Sequence, residues 1–104
     1  MKAVIVRPEK AKAEIMEIEN NIETFQTICD GLVQPITIDH KTVVLCNEEG
    51  LIRDLKRNRI LVLNNRTEFL RGTLIVIGFK GDKFCGLDDA EKWREKFSTR
   101  AVIL

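Results

Sequence analysis

The sequence lacks the features that mark membrane, secreted and metal-dependent proteins. Its longest wholly apolar runs have four residues, whereas a helix needs about 20 to span a bilayer. The three cysteines are far apart and odd in number, which favours reduced thiols over a disulfide framework. The only histidine is His40 and no Cys-x-x-Cys pair occurs, so we expect no metal site and no cofactor. No secretory signal opens the chain, and we expect a cytoplasmic protein that does not contact membranes.

Nucleotide-binding motifs are absent too. There is no P-loop and no Gly-x-Gly-x-x-Gly pattern, and there is no tyrosine to form a base-stacking platform. We expect the phenylalanines, Phe69 among them, in the core. The net charge is only +1, but residues 9–30 carry six acids against two bases and residues 51–71 carry six bases against two acids. Such an asymmetry either orients a charged partner or reflects two solvated faces.

The pattern of apolar residues predicts a single α+β domain, 1–104, with about 5–7 short strands and two helices. The elements do not alternate strictly as strand and helix, so we expect a small, mostly antiparallel sheet. A capping pair, Asn20 with Glu23, and a glycine stop at Gly31 place the first helix at about 21–30. Asp88 with Glu91 predicts a cap for the second helix, at about 89–97.

Several strands are indicated by β-branched runs bounded by turn residues. Residues 2–7 predict a buried strand, residues 32–46 a hairpin, and residues 73–79 a central strand. A loop at 80–82 leads into a short strand at 83–85. We predict that residues 51–59 are mostly loop. The apolar tail, 101–104, fits a further strand, core packing or a homodimer contact.

Two motifs resemble a known family. Cys46-Asn-Glu-Glu-Gly50 and Gly72-Thr-Leu-Ile-Val-Ile-Gly78, with the N-terminal strand and Asn58-Arg59, occur in the same order in small bacterial and phage proteins described only as a domain of unknown function. The resemblance covers nearly the whole chain. It implies an intracellular accessory protein, often borne by phages or mobile elements. It implies no activity, cofactor or catalytic residue.

The corner formed by residues 47–59 is the predicted site. Clustered guanidinium groups match phosphate geometry, so we expect a non-enzymatic binding protein that contacts an anionic partner there, either a nucleotide or a nucleic acid. The expected ligand-binding residues are Asn47, Glu48, Glu49, Arg53, Arg57, Asn58 and Arg59. A solvated basic loop is the plain alternative.

Two other functions stay open from the sequence. One is sequestration of a small phosphate-bearing metabolite. The other is a small enzyme that uses Glu48 and Glu49, or Cys46 with His40 as its base. Adjacent strand residues point to opposite faces, and Cys46 follows an apolar run typical of a buried thiol, so we assign no catalytic residue.

Overall fold

The centre of the fold is a strand rich in β-branched residues, as the sequence predicts. The computed structural model describes residues 1–104. Its elements are, in chain order, β1 (Lys2–Val6), β2 (Glu14–Glu17), α1 (Ile22–Cys29), β3 (Val33–Asp39), β4 (Thr42–Asn47), β5 (Arg57–Val62), β6 (Thr67–Arg71), β7 (Leu74–Lys80), β8 (Lys83–Cys85), α2 (Ala90–Lys96) and β9 (Ala101–Ile103). Neither helix has the length and apolarity needed to cross a bilayer.

The larger sheet has six strands and is wholly antiparallel. Its order is β2-β1-β7-β4-β3, and β8 pairs with the C-terminal part of β7 beyond β1. Strand β7 therefore has a neighbour on each side along its length. Both faces of this sheet are buried, which explains why its inner strands are continuous apolar runs without alternation.

Two apolar clusters cover the two faces of this sheet. On one face, Phe25 and Cys29 of α1 pack against the odd-numbered side chains of the inner strands, such as Ile75 and Ile77. On the other face, Trp93 and Phe97, from α2 and its cap, pack against the alternate residues. The second, three-stranded sheet adds its inner side chains to the latter cluster.

The smaller sheet has the order β6-β5-β9. Strand β6 runs antiparallel to β5, whereas β9 runs parallel to it. Leu61, Leu70 and Val102, one from each strand, point into the core. Because side chains alternate along a strand, their neighbours form an outer face that no other element covers.

The α+β class and the mostly antiparallel pairing are confirmed. The strand count is nine, in two sheets, and so exceeds the predicted 5–7. Strand β6 was not predicted. The prediction of a loop at 51–59 is wrong for its last three residues, because β5 begins at Arg57.

The two helices lie within the predicted ranges, but their caps are shifted. The side chain of Asn21, not Asn20, accepts the hydrogen bond from the Thr24 N–H at 2.8 Å. Asp89, not Asp88, caps α2 by accepting from the Lys92 N–H at 3.2 Å. The left-handed residue at the end of α1 is Asp30, one position before the predicted Gly31. Each of these predictions is wrong by one position, because two residues suited to the cap are adjacent in the sequence there.

Candidate functional site

Asn47 ties the end of β4 to the end of α1. Its side-chain amide donates to the carbonyl oxygens of Cys29 and Asp30, both at 3.0 Å, and its oxygen accepts from the Glu49 N–H at 2.8 Å. The side chain is buried. All these partners are backbone groups, so Asn47 shapes the turn instead of facing a ligand.

The remaining residues of the turn after β4 do not converge. Glu48 and Glu49 are exposed, and their carboxylates make no hydrogen bond or ion pair in the structure. Arg53 donates to the carbonyl oxygen of Asp30 and pairs with its carboxylate at 3.0 Å. The charge of Arg53 is therefore already met by an acid from the end of α1.

Asn58 and Arg59 are buried side by side at the start of β5. The Asn58 amide donates to the carbonyl oxygens of Val6 at 2.8 Å and Gly72 at 2.7 Å, and so ties β5 to the larger sheet. Its oxygen accepts from Arg59 Nη1 at 3.0 Å. This amide is therefore fully used inside the protein.

The guanidinium group of Arg59 joins its own strand, β5, to two distant segments, although only 1% of the residue is exposed. Its Nε donates to the Phe97 carbonyl at 2.9 Å, and its Nη2 donates to the carbonyls of Lys10 at 2.9 Å and Ala11 at 2.7 Å. Burial lowers the pKa of Arg59, and the charge of Arg100 lowers it further. One of these acceptors, the Phe97 carbonyl, lies at the C-terminal end of α2, where partial negative charge favours a cation.

Arg57 differs from its two neighbours because it is exposed. It lines a groove of about 730 Å³, which we call the basic groove. The groove is lined by Pro8, Leu51, Lys56, Arg57, Asn58, Arg59, Ile60, Phe69, Leu70, Arg71 and Arg100. Five of these residues are basic and none is acidic. The smaller sheet, the turn before it and the residue that precedes β9 thus form one cationic surface.

Like charges stand opposite each other in the basic groove. Arg57 and Arg71 are Cα partners on the antiparallel strands β5 and β6. Arg71 pairs with Asp54, which is 93% exposed, at 3.0 Å, but Arg57 and Lys56 have no acidic partner. Arg100 donates only to carbonyl oxygens, those of Asn58 at 2.9 Å and Pro8 at 3.4 Å. Because like charges in direct cross-strand positions repel, this arrangement favours a bound anion.

Phe69 and Leu51 supply exposed apolar surface beside these cations. Phe69 is 74% exposed, as is Leu51, so the prediction that Phe69 lies in the core is wrong. The alternation of Thr67, Phe69 and Arg71 with two inward residues explains its position on the outer face of β6. Sequence reasoning also missed Arg100, which is far from residues 47–59 along the chain.

The residues considered for thiol catalysis lie apart. Cys46 is buried near the end of β4, its thiol donates to the Gln34 carbonyl at 3.8 Å, and burial raises its pKa. His40 lies in the turn before β4, so the length of the strand, roughly 20 Å, separates the two residues. A thiol held protonated and away from a base is a poor nucleophile.

A second cavity, of about 430 Å³, lies beside the β3–β4 turn. Its charged residues include both signs, and Lys41 pairs with Asp88 at 3.8 Å. Although burial raises the pKa of Asp39, the N–H of Lys41 and the side chain of Thr42 donate to its carboxylate and hold the pKa below its ordinary value. No group of three His, Cys, Asp or Glu residues is placed to hold a metal ion.

The fold and the groove define a small α+β protein with a cationic surface on its smaller sheet. The chain belongs to the family described as Domain of unknown function (DUF3846), whose model matches residues 1–98. This match confirms the resemblance to a family described only as a domain of unknown function. No curated protein and no solved structure matches the chain.

Proposed function

We propose that the protein is a non-enzymatic binding protein whose basic groove holds a phosphate-bearing anion. The observation that carries this proposal is the direct opposition of Arg57 and Arg71 in a groove without an acidic lining residue. Guanidinium groups bind phosphate through two parallel hydrogen bonds, and two of them on neighbouring strands present such donors side by side.

The absence of neutralising partners inside the protein supports an external anion. Exposed cations that already pair with carboxylates gain little from a phosphate group, because the carboxylate must be displaced first. Arg53 is in this position, since it pairs with Asp30. Lys56, Arg57 and Arg100 are not, because no carboxylate contacts them. The proposed contacts therefore centre on these three residues. Arg71 also contacts the anion once its ion pair with the exposed Asp54 is broken.

The proposal narrows the predicted site. Asn47, Asn58 and Arg59 use their polar atoms within the protein, and we assign them the role of shaping the groove and its surroundings. Glu48 and Glu49 are outside the lining of the groove. We retain the cytoplasmic location and the phage or mobile-element association as parts of the proposal, since an intracellular nucleotide or nucleic acid supplies the required phosphate.

The proposal is tested by titrating the protein with ATP and with a labelled short oligonucleotide at two salt concentrations. We expect binding that weakens as salt rises, since exposed charges are screened beyond about 8 Å at physiological ionic strength. Lys56→Ala with Arg57→Ala should weaken it strongly, because two of the three unpaired cations are lost, while the binding that remains should depend less on salt. Lys80→Ala with Lys83→Ala removes the same charge from the exposed β7–β8 hairpin and should leave binding within about twofold, as surface screening predicts.

A gain-of-function variant gives an independent check. Asp54→Asn removes the carboxylate that pairs with Arg71, while asparagine tolerates the left-handed backbone of this position, where φ is 52°. Affinity for the same anions should rise. Wild-type protein that binds neither ATP nor the oligonucleotide, or binding that Lys56→Ala with Arg57→Ala leaves intact, contradicts the proposal.

Sequestration of a small phosphate-bearing metabolite uses the same groove and is the second candidate. It is favoured if ATP alone binds as tightly as the oligonucleotide. The structure provides no observation that favours an enzyme, because the carboxylates of Glu48 and Glu49 do not converge on a cavity and Cys46 is buried.

A further inference from the structure

The apolar wall of the basic groove is an exposed aromatic ring. Phe69 is the Cα partner of Ile60, lies two residues before Arg71 on the same face of β6, and is 74% exposed. Large aromatic side chains are normally drawn into the core or covered by a partner, because burying them contributes strongly to stability. Here the ring lies in solvent next to cations.

The outer face of the smaller sheet carries no acid. Its side chains, those that alternate with the buried Leu61, Leu70 and Val102, are Ile60, Val62, Thr67, Phe69, Arg71, Ala101 and Ile103. The one carboxylate on β6, Glu68, belongs to the inward-pointing set and pairs with Arg66 at 2.9 Å. An anion that approaches this face therefore meets apolar surface and positive charge, and the carboxylate paired with a side chain of the face is that of Asp54, which contacts Arg71 at 3.0 Å from the turn before β5.

The outer face of the smaller sheet is wide enough to contact several successive units of a linear polymer. Phe69, Ile60 and Ala101 are register partners on three adjacent strands, so the apolar strip is about 10 Å wide at the usual strand spacing. It begins at the cations of the groove. A single nucleic-acid base covers only part of such a strip, and successive bases of one nucleic-acid strand can lie along it.

We propose that the partner of the basic groove is single-stranded nucleic acid, with a base stacked on Phe69 and its phosphates held by Lys56, Arg57 and Arg100. This inference rests on the proposed function and specifies its ligand. Aromatic rings bind unpaired bases without sequence preference, because every base has a π face, whereas the faces of bases in a duplex are already stacked. A flat, apolar sheet surface with cations at one edge suits the single strand.

The experiment separates stacking from phosphate contacts by their salt dependence. Fluorescence anisotropy with a labelled oligothymidine of about twelve nucleotides matches typical single-strand sites. Phe69→Ala should weaken binding by about tenfold, typical of one stacked base, without changing the slope of log K against log salt. Lys56→Ala with Arg57→Ala should reduce the magnitude of that slope by about 1.4, or 0.7 per lost contact.

Controls address folding and generic hydrophobicity. Phe69→Trp should restore binding, since it restores a stacking surface. Leu32→Ala removes an exposed apolar side chain, 52% exposed, away from the groove and should have no effect on binding. Circular dichroism should show that each variant is folded, because Phe69 and Leu32 contribute little to the core. Oligoribonucleotides of matched sequence show whether RNA or DNA is preferred.

Other outcomes overturn the inference in distinguishable ways. If Phe69→Ala binds like wild type, or duplex DNA binds as tightly as the single strand, stacking is refuted while anion binding stands. If no nucleic acid or nucleotide binds at all, the proposed function fails as well. If Phe69→Ala abolishes a concentration-dependent dimer seen by sedimentation and leaves oligonucleotide binding unchanged, the face is a self-association surface and the inference is wrong.

Discussion

Replacing Arg59 should destabilise the protein more than replacing any other basic residue. Three of its four hydrogen bonds connect β5 with residues 10 and 11 and with the cap of α2, and the fourth goes to the side chain of the adjacent Asn58. Arg59→Met keeps most of the side-chain volume and removes every donor. The acceptors stay in place, and an acceptor buried without a donor loses the water that it bonds in the unfolded chain.

The expected loss in the free energy of unfolding depends on which of these acceptors water cannot reach in the variant. The hydrogen bonds to Phe97 and to the Asn58 side chain are buried, whereas those to Lys10 and Ala11 are only partly buried, so water can replace the latter pair. Two dry acceptors at about 1–3 kcal/mol each give a loss of roughly 4 kcal/mol. This is a large fraction of the roughly 5–15 kcal/mol that stabilises a typical domain.

Urea unfolding, followed by circular dichroism and by Trp93 fluorescence, measures the loss. Arg57→Ala is the matched control, since this arginine lies two residues away on the same strand, is exposed and has a side chain that makes no hydrogen bond. It should change the free energy of unfolding by less than about 0.5 kcal/mol, as surface substitutions usually do. If Arg59→Met is no more destabilising than Arg57→Ala, the network does not hold the three segments together.

Three further predictions concern the core and the titrating groups. Ile75→Asp places a charge near the start of β7, where the side chain is fully buried, and should unfold the protein. A cooperative melt like that of wild type would contradict the position of β7 at the centre of the sheet. Burial raises the pKa of Cys29 to about 12 and also raises that of Cys46, so both should react with a thiol reagent only after unfolding, whereas the half-buried Cys85 should react first in the native protein. The pKa of Asp39 lies below its ordinary value of 3.8 in the folded state, so its ionised form stabilises the fold above that pH, and this contribution disappears as the pH falls through the folded-state pKa. Asp39→Asn should therefore lower the free energy of unfolding at neutral pH, and this effect should shrink as the pH falls below the ordinary value of 3.8; an effect that does not change with pH would refute this assignment.

The larger sheet is predictable from sequence because its strands obey simple local rules. The run before Gly78 is β-branched and uninterrupted, which is typical of a strand buried on both faces. The same rules do not predict β6, because polar side chains occur on both of its faces. Thr67, Phe69 and Arg71 lie on one face, and Glu68 and Leu70 on the other. Only the neighbouring β5 determines which face turns inward.

The surroundings of the candidate site residues are harder to predict from sequence than the fold. Asn58 and Arg59 look like loop residues in a charged segment, yet they are buried because distant carbonyl oxygens meet their donors. No local pattern contains that information. Arg57 is the predicted site residue that lies in the groove with its charge unpaired, and Arg100 joins it only through the tertiary fold. Sequence spacing indicates that cations are close along the chain, but not which of them are already neutralised.

The parallel pairing of β5 with β9 has a consequence for the order in which the chain folds. Ile60 pairs with Ala101, so about forty intervening residues must be made before the two strands can meet. Contacts between residues so far apart form late, because closing a long loop costs entropy before any contact compensates for it. During synthesis, Leu61 and its neighbours on the inner face therefore lack Val102 until β9 emerges. The growing chain should expose this apolar surface to chaperones throughout that interval, and a ribosome stalled before residue 101 should display a sheet with an open edge at β5.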